Sequence, residues 1–240
     1  MLSPDDGRVR GRVLGVVFDL DGVLAESEHL WEENWSSYAA DAGFGWAPGD
    51  TEQVQGMSVP EWSGYLAERV ERPPDDAPAV AKRVIDGMIA ALHAGRVELL
   101  PGAREMVEAV SARVPIAVAS SAPRRLIEAV LSSTELIGHF TAIVSSEEVP
   151  RGKPSPDVYE EASRRLGIDP AWCVGVEDSS NGIRAAAAAG MTVIAIPNPT
   201  YPPKPDALER CALVVESPAE ASAGILAWLD EPRGSALEIS

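Results

Sequence analysis

The segment VVFDLDGVLAESE, residues 16–28, runs from an apolar strand directly into carboxylates. In an extended chain Asp19 and Asp21 point to the same side, with α-carbons about 6.6 Å apart. One carboxylate could attack a tetrahedral centre while the other protonates the leaving oxygen. Their mutual repulsion requires a proton on one of them, or a hard cation such as Mg²⁺. A simple turn is the alternative, because Asp-x-Asp-Gly is common in loops and Gly22 lets the chain turn sharply.

Two hydroxyl groups follow a second apolar strand. Ser120 ends the segment PIAVAS, and Ser121 comes directly after it, just before a predicted helix. The hydroxyls and the N–H groups of a helix N-terminus can hold a phosphate, and Pro123 suits a first helical turn. Taken alone, the two serines are better explained as an ordinary helix cap.

A lysine enclosed by backbone-restricting residues is the third feature. Lys153 lies between Gly152 and Pro154, with Pro156 close behind. Because proline restricts the backbone, the amine can be directed at a carboxylate or a transferring phosphoryl group. For a single lysine, solvation is the simpler explanation, and we interpret Arg151 as a surface residue.

Two further acids end a third apolar strand. Glu177 and Asp178 follow the segment CVGV and precede a predicted helix. Metal ligation is one interpretation of these carboxylates. The other is structural, because Asp178 or Ser179 would make a good helix N-cap and acids are favourable at a helix start.

These features become informative as a set. In chain order they are Asp-x-Asp, serine, lysine and Glu-Asp, each at or just after the carboxyl end of a predicted strand. Ligands of open α/β sheets bind at that edge of the sheet. Four unrelated caps and turns would not be expected to place acid, nucleophile, anion holder, cation and metal ligand in one crevice.

The elements that position these residues form an alternating pattern. Predicted strands without polar alternation indicate a parallel sheet covered on both faces by helices. The predicted strands are Val13–Asp19, Ile116–Ser120, Ala142–Val144, Cys173–Val176, Thr192–Ile196 and Leu213–Val215. The predicted helices between them are Ala103–Ala112, Arg124–Leu131, Asp157–Leu166, Ser180–Ala189 and Pro218–Leu229.

Residues 26–97 break this pattern and predict an all-helical insert. Helical spacing of apolar residues covers Ser27–Ala42, Val59–Val70 and Ala77–Ala94, and no strand signal is present. Clusters of Pro, Gly and Asp at 45–50 and 72–78 predict connections. We therefore expect an α/β, Rossmann-like core from 1–25 and 98–240, and a helical cap from 26–97.

Composition limits the partners and the location. The 240 residues carry a formal net charge of −17, which disfavours nucleic acid and anionic membranes as partners and slightly favours a monomer. Cys173 and Cys211 predict neither a disulfide framework nor a zinc site. A polar start at Met1–Arg12 does not fit a signal peptide, and no apolar run could span a membrane. We expect a cytoplasmic protein with loose tails at both ends.

The motifs resemble, in order, those of the haloacid dehalogenase superfamily of aspartate-dependent phosphotransferases. FDLDGVL, VASS, GKPSPDVY and GVEDSSNGI carry this resemblance across nearly the whole chain. The first, third and fourth motifs are highly specific. The helical insert resembles the subgroup with an α-helical cap, which includes sugar-phosphate phosphatases and β-phosphoglucomutase-like enzymes.

The resemblance implies roles for the catalytic residues. Asp19 would be the nucleophile that forms an aspartyl-phosphate, and Asp21 the general acid and base. Ser120 would hold a phosphoryl oxygen, and Lys153 would bridge the phosphoryl group and Asp19. True dehalogenases lack the second aspartate, so Asp21 indicates phosphate chemistry.

The resemblance also implies a bound Mg²⁺ ion. The metal ligands would be Asp19, the backbone carbonyl of Asp21, Asp178 directly, and Glu177 directly or through water. The residues expected to bind a small phosphorylated metabolite are Ser120, Ser121, Lys153 and Gly22.

The implied reaction is the Mg²⁺-dependent hydrolysis of a small phosphate monoester, with a sugar or polyol as the leaving alcohol. Phosphosugar mutases of this family carry a cap arginine directly after Gly-x-Ser. Here Gly56-Met57-Ser58 is followed by Val59-Pro60. This departure favours hydrolysis over a mutase, and the intact motifs argue against a third possibility, a non-enzymatic sensor of phosphorylated ligands. A second departure, Glu26 where the family usually has Asp, lies at the expected cap hinge.

Four of the six tryptophans fall in the predicted cap: Trp31, Trp35, Trp46 and Trp62. We interpret them first as cap core. The alternative is that Trp31 or Trp35, one helical turn apart near the hinge, faces the crevice and stacks on a sugar ring.

Overall fold

The computed structural model describes residues 13–54 and 57–230. Six parallel strands form one sheet in the order β5-β4-β1-β6-β7-β8, and β2 pairs with β3 in a separate antiparallel ladder. The strands are β1 (Gly15–Phe18), β2 (Ala25–Glu26), β3 (Glu98–Leu99), β4 (Ile116–Ser120), β5 (Ala142–Ser145), β6 (Cys173–Glu177), β7 (Thr192–Ala195) and β8 (Leu213–Val214). The expectations of Met1–Arg12 as a loose tail and of a second one at 231–240 lie outside the described residues.

Helices fill the connections between these strands. They are α1 (Glu28–Asp41), α2 (Pro48–Val54), α3 (Val59–Arg69), α4 (Ala77–His93), α5 (Ala103–Ser111), α6 (Arg124–Ser133), α7 (Asp157–Leu166), α8 (Ser180–Ala188), α9 (Pro205–Leu208) and α10 (Pro218–Asp230). Short 3₁₀ turns add Pro74–Asp76, Ile137–His139, Ser146–Glu148 and Pro170–Trp172. Across the described residues, no helix combines the length and apolarity that a membrane crossing requires.

The central strand shows why the strands lack polar alternation. Val16 and Phe18 contribute to one apolar cluster and Val17 to another, and all three are fully buried. On the second face α7 packs against β4, β5 and β1, while α8 packs against β6 and β7. Both faces of the sheet are therefore covered, and the predicted Rossmann-like fold is confirmed.

The insert between β2 and β3 is built around α4, which packs against α1, α3 and the core helix α6. The expectation of no strand in residues 26–97 is wrong at Glu26, because Ala25 pairs with Leu99 and Glu26 with Glu98. Strands of two residues are too short to show a period. This ladder lies where the chain leaves the core and returns to it; the division into core and cap stays a prediction.

Two short helices were not predicted. The residues 45–50 were expected to connect helices, but α2 begins at Pro48, and the Asp50 carboxylate accepts the Ala47 N–H at 2.8 Å. Pro at a helix start and Asp in its first turn both favour this element, so the same residue types serve a turn or a helix start. The four-residue α9 lies in a proline-rich segment and shows no helical period.

Candidate active site

The predicted site residues meet at one edge of the sheet. Phe18 pairs with Val118 on one side and Val176 on the other, so Asp19 emerges between the ends of β4 and β6. Ser120 and Glu177 end those strands. All of the predicted acids at strand ends except Asp21 are buried, as are Ser120 and Lys153.

Lys153 links two of these carboxylates. Its Nζ donates to Asp19 Oδ1 at 2.7 Å and to Glu177 Oε1 at 2.6 Å. Burial alone would lower the pKa of Lys153, but the two carboxylates outweigh burial and raise that pKa. The ammonium is therefore charged and held against Asp19, so it is not the solvated lysine that its sequence position also allowed.

Tyr159 on α7 completes the surroundings of Lys153. Its hydroxyl donates to Glu177 Oε1 at 2.5 Å, and Lys153 Nζ lies 5.1 Å from the centre of its ring. Burial raises the pKa of Tyr159 well above its ordinary value, so the phenol keeps its proton. Sequence analysis missed this residue, although it ends the motif GKPSPDVY.

The second oxygen of Glu177 faces the start of α8. Glu177 Oε2 accepts the Asp178 N–H at 3.2 Å and the Ser179 hydroxyl at 3.2 Å. A Cβ at Gly182 would lie 1.8 Å from Glu177 Oε1, so this position has no room for a side chain. Ser179 caps α8 by accepting the Gly182 N–H at 3.1 Å. The predicted cap therefore exists, and Ser179 makes it, leaving the Asp178 carboxylate for the site.

Three buried carboxylates form a possible metal site. One oxygen from each of Asp19, Glu177 and Asp178 lies within 4.8 Å of the others. Asp178 Oδ2 is buried and finds no hydrogen-bond partner within residues 13–54 and 57–230. A Cβ at Gly22 would lie 2.1 Å from that oxygen. An unpartnered buried carboxylate oxygen and a glycine that leaves space beside it fit a hard divalent cation.

Burial also changes the ionisation of these acids. It raises the pKa of Asp19 to about 8, against the opposing effect of Lys153. Burial, followed by the charge of Glu177, raises the pKa of Asp178 well above its ordinary value. A cation beside these groups would favour their charged forms, so proton and metal compete for the same oxygens.

Asp21 is held apart from this carboxylate cluster. Its Oδ1 accepts hydrogen bonds from the Ser27 hydroxyl and, at 3.2 Å, from Trp31 Nε1. Asp21 is half-buried, and loss of contact with water raises its pKa, as a general acid requires. Both donors lie at the start of the insert, and neither contact was predicted.

The two serines after β4 line the cleft above Asp19 and Lys153. Ser120 Oγ also accepts the Ala122 N–H at 3.0 Å. This hydrogen bond lies in the turn before α6, whose N-cap residue is Pro123, so the expectation of a helix cap at Ser120 or Ser121 is wrong.

Aromatic residues of the insert form one wall of the cleft. Trp31 and Trp35 stack with ring centroids 5.7 Å apart, and Trp62 packs against both at 6.0 Å. These three rings are buried and also border the cleft, whereas Trp46 packs behind Trp35. Trp31 and Trp35 therefore pack in the interior of the insert and also face the cleft, so the two interpretations of these residues do not exclude each other.

A family model for haloacid dehalogenase-like hydrolases matches residues 13–190, which include every predicted site residue. The chain belongs to this family. The resemblance inferred from the four motifs is confirmed. The match extends over most of the sheet and all of the helical insert.

Curated relatives define the enzyme class. Hexitol phosphatase B of Escherichia coli K12 is 34% identical over 197 residues, which cover 78% of this chain and 85% of that protein. Protein CbbY of Rhodobacter capsulatus is 30% identical over 192 residues, which cover 76% of this chain and 85% of that protein. The prediction of a phosphatase is confirmed at the level of enzyme class.

Solved structures share the fold. CbbY from Rhodobacter sphaeroides, determined in complex with phosphate, has a TM-score of 0.78 and 25% identity, covering 87% of this chain and 96% of that chain. β-Phosphoglucomutase from Clostridium difficile has the same TM-score at 22% identity, covering 91% and 98%. The second likeness concerns the fold alone.

Proposed function

We propose that this protein is a Mg²⁺-dependent phosphatase that hydrolyses the phosphate monoester of a sugar or polyol through an aspartyl-phosphate on Asp19. The observation that carries the proposal is the buried contact of 2.7 Å between Lys153 Nζ and Asp19 Oδ1, beside the cluster of three carboxylates. A nucleophilic carboxylate approaching a phosphate dianion needs nearby positive charge, and Lys153 provides it.

In the first half-reaction an Asp19 oxygen attacks phosphorus while the bond to the leaving alcohol breaks. Asp21 gives its proton to the departing oxygen, so the alcohol leaves neutral and the phosphoryl group remains on Asp19. Lys153 and the hydroxyls of Ser120 and Ser121 hold the phosphoryl oxygens. Glu177 and Tyr159 act through Lys153, because they keep its ammonium charged and oriented.

In the second half-reaction a water molecule attacks the aspartyl-phosphate. Asp21, now ionised, takes the proton of that water as the new oxygen–phosphorus bond forms. The bond between phosphorus and Asp19 breaks and restores the carboxylate. Ser27 and Trp31 hold the Asp21 carboxylate in position for both transfers.

The residues that would hold Mg²⁺ are Asp19, Asp178 and the backbone carbonyl of Asp21. When bound, the ion supplies positive charge that offsets the phosphoryl oxygens and the carboxylates around them. Glu177 would contact it through water, since both Glu177 oxygens already accept hydrogen bonds from Lys153, Tyr159 and the start of α8.

A phosphosugar mutase is the second candidate, and the charge of the cleft argues against it. Lys153 is the single Lys or Arg that lines the cleft within the described part of the chain. A two-phosphate intermediate would bring a second dianion into this cleft, whose one lysine is already assigned to the transferring phosphoryl group. Ser58 is the N-cap residue of α3, and Val59 stands where mutases of this family carry their arginine. Gly56 lies outside the described residues.

The aromatic wall supports the substrate class. Trp31, Trp35 and Trp62 offer apolar ring faces, while Thr51 and Tyr201 offer hydroxyl groups at the other side of the cleft. Sugars and polyols present C–H faces and hydroxyls to such a surface. The helical insert would thereby act as the cap that selects the substrate, in a cytoplasmic enzyme.

The test is release of inorganic phosphate from hexitol, pentose and glycerol phosphates, with Mg²⁺ or with excess EDTA. We expect turnover with Mg²⁺ and none with EDTA. The Asp19→Asn variant should lose at least about a thousandfold in kcat because the nucleophile is removed. Asp41→Asn, at an exposed position of α1, is the matched control and should retain full activity. Isomerised sugar phosphate without free phosphate would contradict hydrolysis, and full activity in EDTA would contradict the metal role.

A further inference from the structure

The segment between β7 and α9 forms a proline-rich loop that contributes Tyr201 to the lining of the cleft. It contains prolines at 197, 199, 202 and 203, which restrict the backbone. Asn198 Oδ1 accepts the N–H groups of Thr200 at 2.8 Å and Tyr201 at 3.0 Å. At the far end the Lys204 N–H donates to Ser180 Oγ at 2.8 Å. The loop is therefore folded on itself at Asn198 and joined to α8 at Lys204, with Tyr201 between these two points.

Tyr201 reaches from this loop of the core to the helical insert. Its hydroxyl donates to Glu32 Oε2 on α1 at 3.0 Å, and it also hydrogen-bonds the side chain of Thr51 on α2. The Asn198 amide donates to Glu28 Oε2 beside it. Tyr201 therefore links the loop to the helical insert, and it also lines the cleft that holds Asp19.

Two cavities meet at Tyr201. The inner one is the cleft that contains Asp19 and Lys153. The outer one is lined by polar side chains, among them Glu52, Gln53, Asn181 and Arg184. Tyr201, Met57 and Ser179 border both cavities and so form the wall between them. Of these three, Tyr201 has the largest side chain, and its ring is the bulkiest group between the two cavities.

We propose that Tyr201 sets the maximum length of the leaving alcohol, admitting the phosphate of one sugar or polyol and excluding that of a disaccharide. Removing the ring would join the inner cleft to the outer cavity, whose carboxylate, amide and guanidinium groups can hydrogen-bond the hydroxyls of a second sugar unit. This inference rests on the proposed phosphatase function and adds a residue that determines its specificity.

The experiment compares kcat/KM for a hexitol 6-phosphate and for a disaccharide 6-phosphate. Tyr201→Ala should raise the ratio of disaccharide to hexitol by about tenfold or more, since a steric block is removed. Tyr201→Phe keeps the ring and loses the hydrogen bonds of the hydroxyl to Glu32 and Thr51, so its ratio should stay near that of the unchanged enzyme. Tyr201→Leu, which retains apolar packing, replaces the alanine variant if that variant does not fold.

The outcomes separate the two proposals. Suppose that the unchanged enzyme hydrolyses the hexitol phosphate, and that the ratio of kcat/KM for disaccharide to hexitol is unaltered in Tyr201→Ala and in Tyr201→Leu. This result overturns the role of Tyr201 and leaves the proposed phosphatase function standing. If Tyr201→Phe changes the ratio as much as Tyr201→Ala does, the role of Tyr201 is also overturned, because the aromatic ring would not be the barrier. Failure of the unchanged enzyme to release phosphate from any monophosphate overturns the proposed function itself.

Discussion

At the level of single residues, Asp19 and Glu177 are tolerated in a buried site because each has a compensating partner. Asp19 has Lys153 at 2.7 Å, and Glu177 has the same ammonium, the Tyr159 hydroxyl and the start of α8. Asp178 Oδ2 has no such partner among the described residues, which is why we assign it to a cation. The charges of this site therefore balance only as a group.

The residues that bear charge could be predicted, whereas those that position them could not. Asp19 and Asp178 stand at strand ends and Lys153 stands between Gly152 and Pro154, and their order along the chain, not any one position, indicates a common site. Tyr159 and Trp31 lie on helix faces, where an aromatic residue indicates core packing equally well. Their hydrogen bonds to Glu177 and Asp21 depend on tertiary contacts that a helical period does not encode.

The space beside Asp178 can be tested at Gly22. Gly22→Ala should weaken Mg²⁺ binding about 10- to 100-fold, because its Cβ would lie 2.1 Å from Asp178 Oδ2. The measurement is the Mg²⁺ concentration that half-saturates phosphate release, together with the Mg²⁺-dependent shift of Tm.

Gly43→Ala is the matched control for this substitution. Gly43 also has a positive φ of 85°, against 77° for Gly22, but no atom lies within 4 Å of its Cβ position. The control should cost about 1 kcal/mol from backbone strain and leave Mg²⁺ dependence unchanged. Equal Mg²⁺ dependence in both variants would refute the role assigned to Gly22.

At the level of elements, the sheet could be predicted and the smallest elements could not. Five of the six strands of the main sheet have four or five residues and are apolar enough for both covered faces to show in the sequence, whereas β8 has two residues. The two-residue ladder of β2 and β3 offers no period, and α2 begins with Pro-Gly-Asp, which equally favours a turn. Tertiary contacts determine whether the β2–β3 ladder and the helix α2 form, and for α2 these contacts involve Asp50.

Asp50 joins α2 to α3 through a buried carboxylate. It accepts the Tyr65 hydroxyl at 2.6 Å and Arg69 Nε at 3.2 Å. Burial would raise the pKa of Asp50, but hydrogen bonds from Tyr65, the Ala47 N–H and Arg69 outweigh burial and lower it. Because the pKa of Asp50 in the folded protein lies below the ordinary value of 3.8, the ionised carboxylate stabilises the fold fully at pH values above 3.8. That stabilisation is lost as the pH falls through the lowered pKa.

Asp50→Asn should therefore lower the free energy of unfolding at pH 7 by about 1–3 kcal/mol. The difference from the unchanged protein should shrink as the pH falls below 3.8, where the wild-type carboxylate is itself neutralised. Thermal unfolding of both proteins at pH 7 and at a pH below 3.8 measures this difference in stability. Asp75→Asn, at an exposed position before α4, serves as the control with little effect, and a difference for Asp50→Asn that is constant with pH would contradict the assignment.

At the level of the whole molecule, the site is assembled from distant parts of the chain. Asp19 follows β1, and Lys153 lies 134 residues later in the chain. Asp178 follows β6, which pairs with β1 in the sheet. The net charge of −17 repels anions in general, so Lys153 and a metal ion must attract phosphate locally. The same charge favours a monomer, which stays a prediction.

The central claim is that turnover passes through a phosphoryl group on Asp19. Peptide mapping by mass spectrometry after acid quenching of the enzyme during hexitol phosphate hydrolysis tests it most directly. We predict one added phosphoryl group on the peptide that contains Asp19, present with Mg²⁺ and substrate and missing in Asp19→Asn. Phosphate release with no phosphorylated Asp19 peptide, or undiminished turnover by Asp19→Asn, would contradict the account.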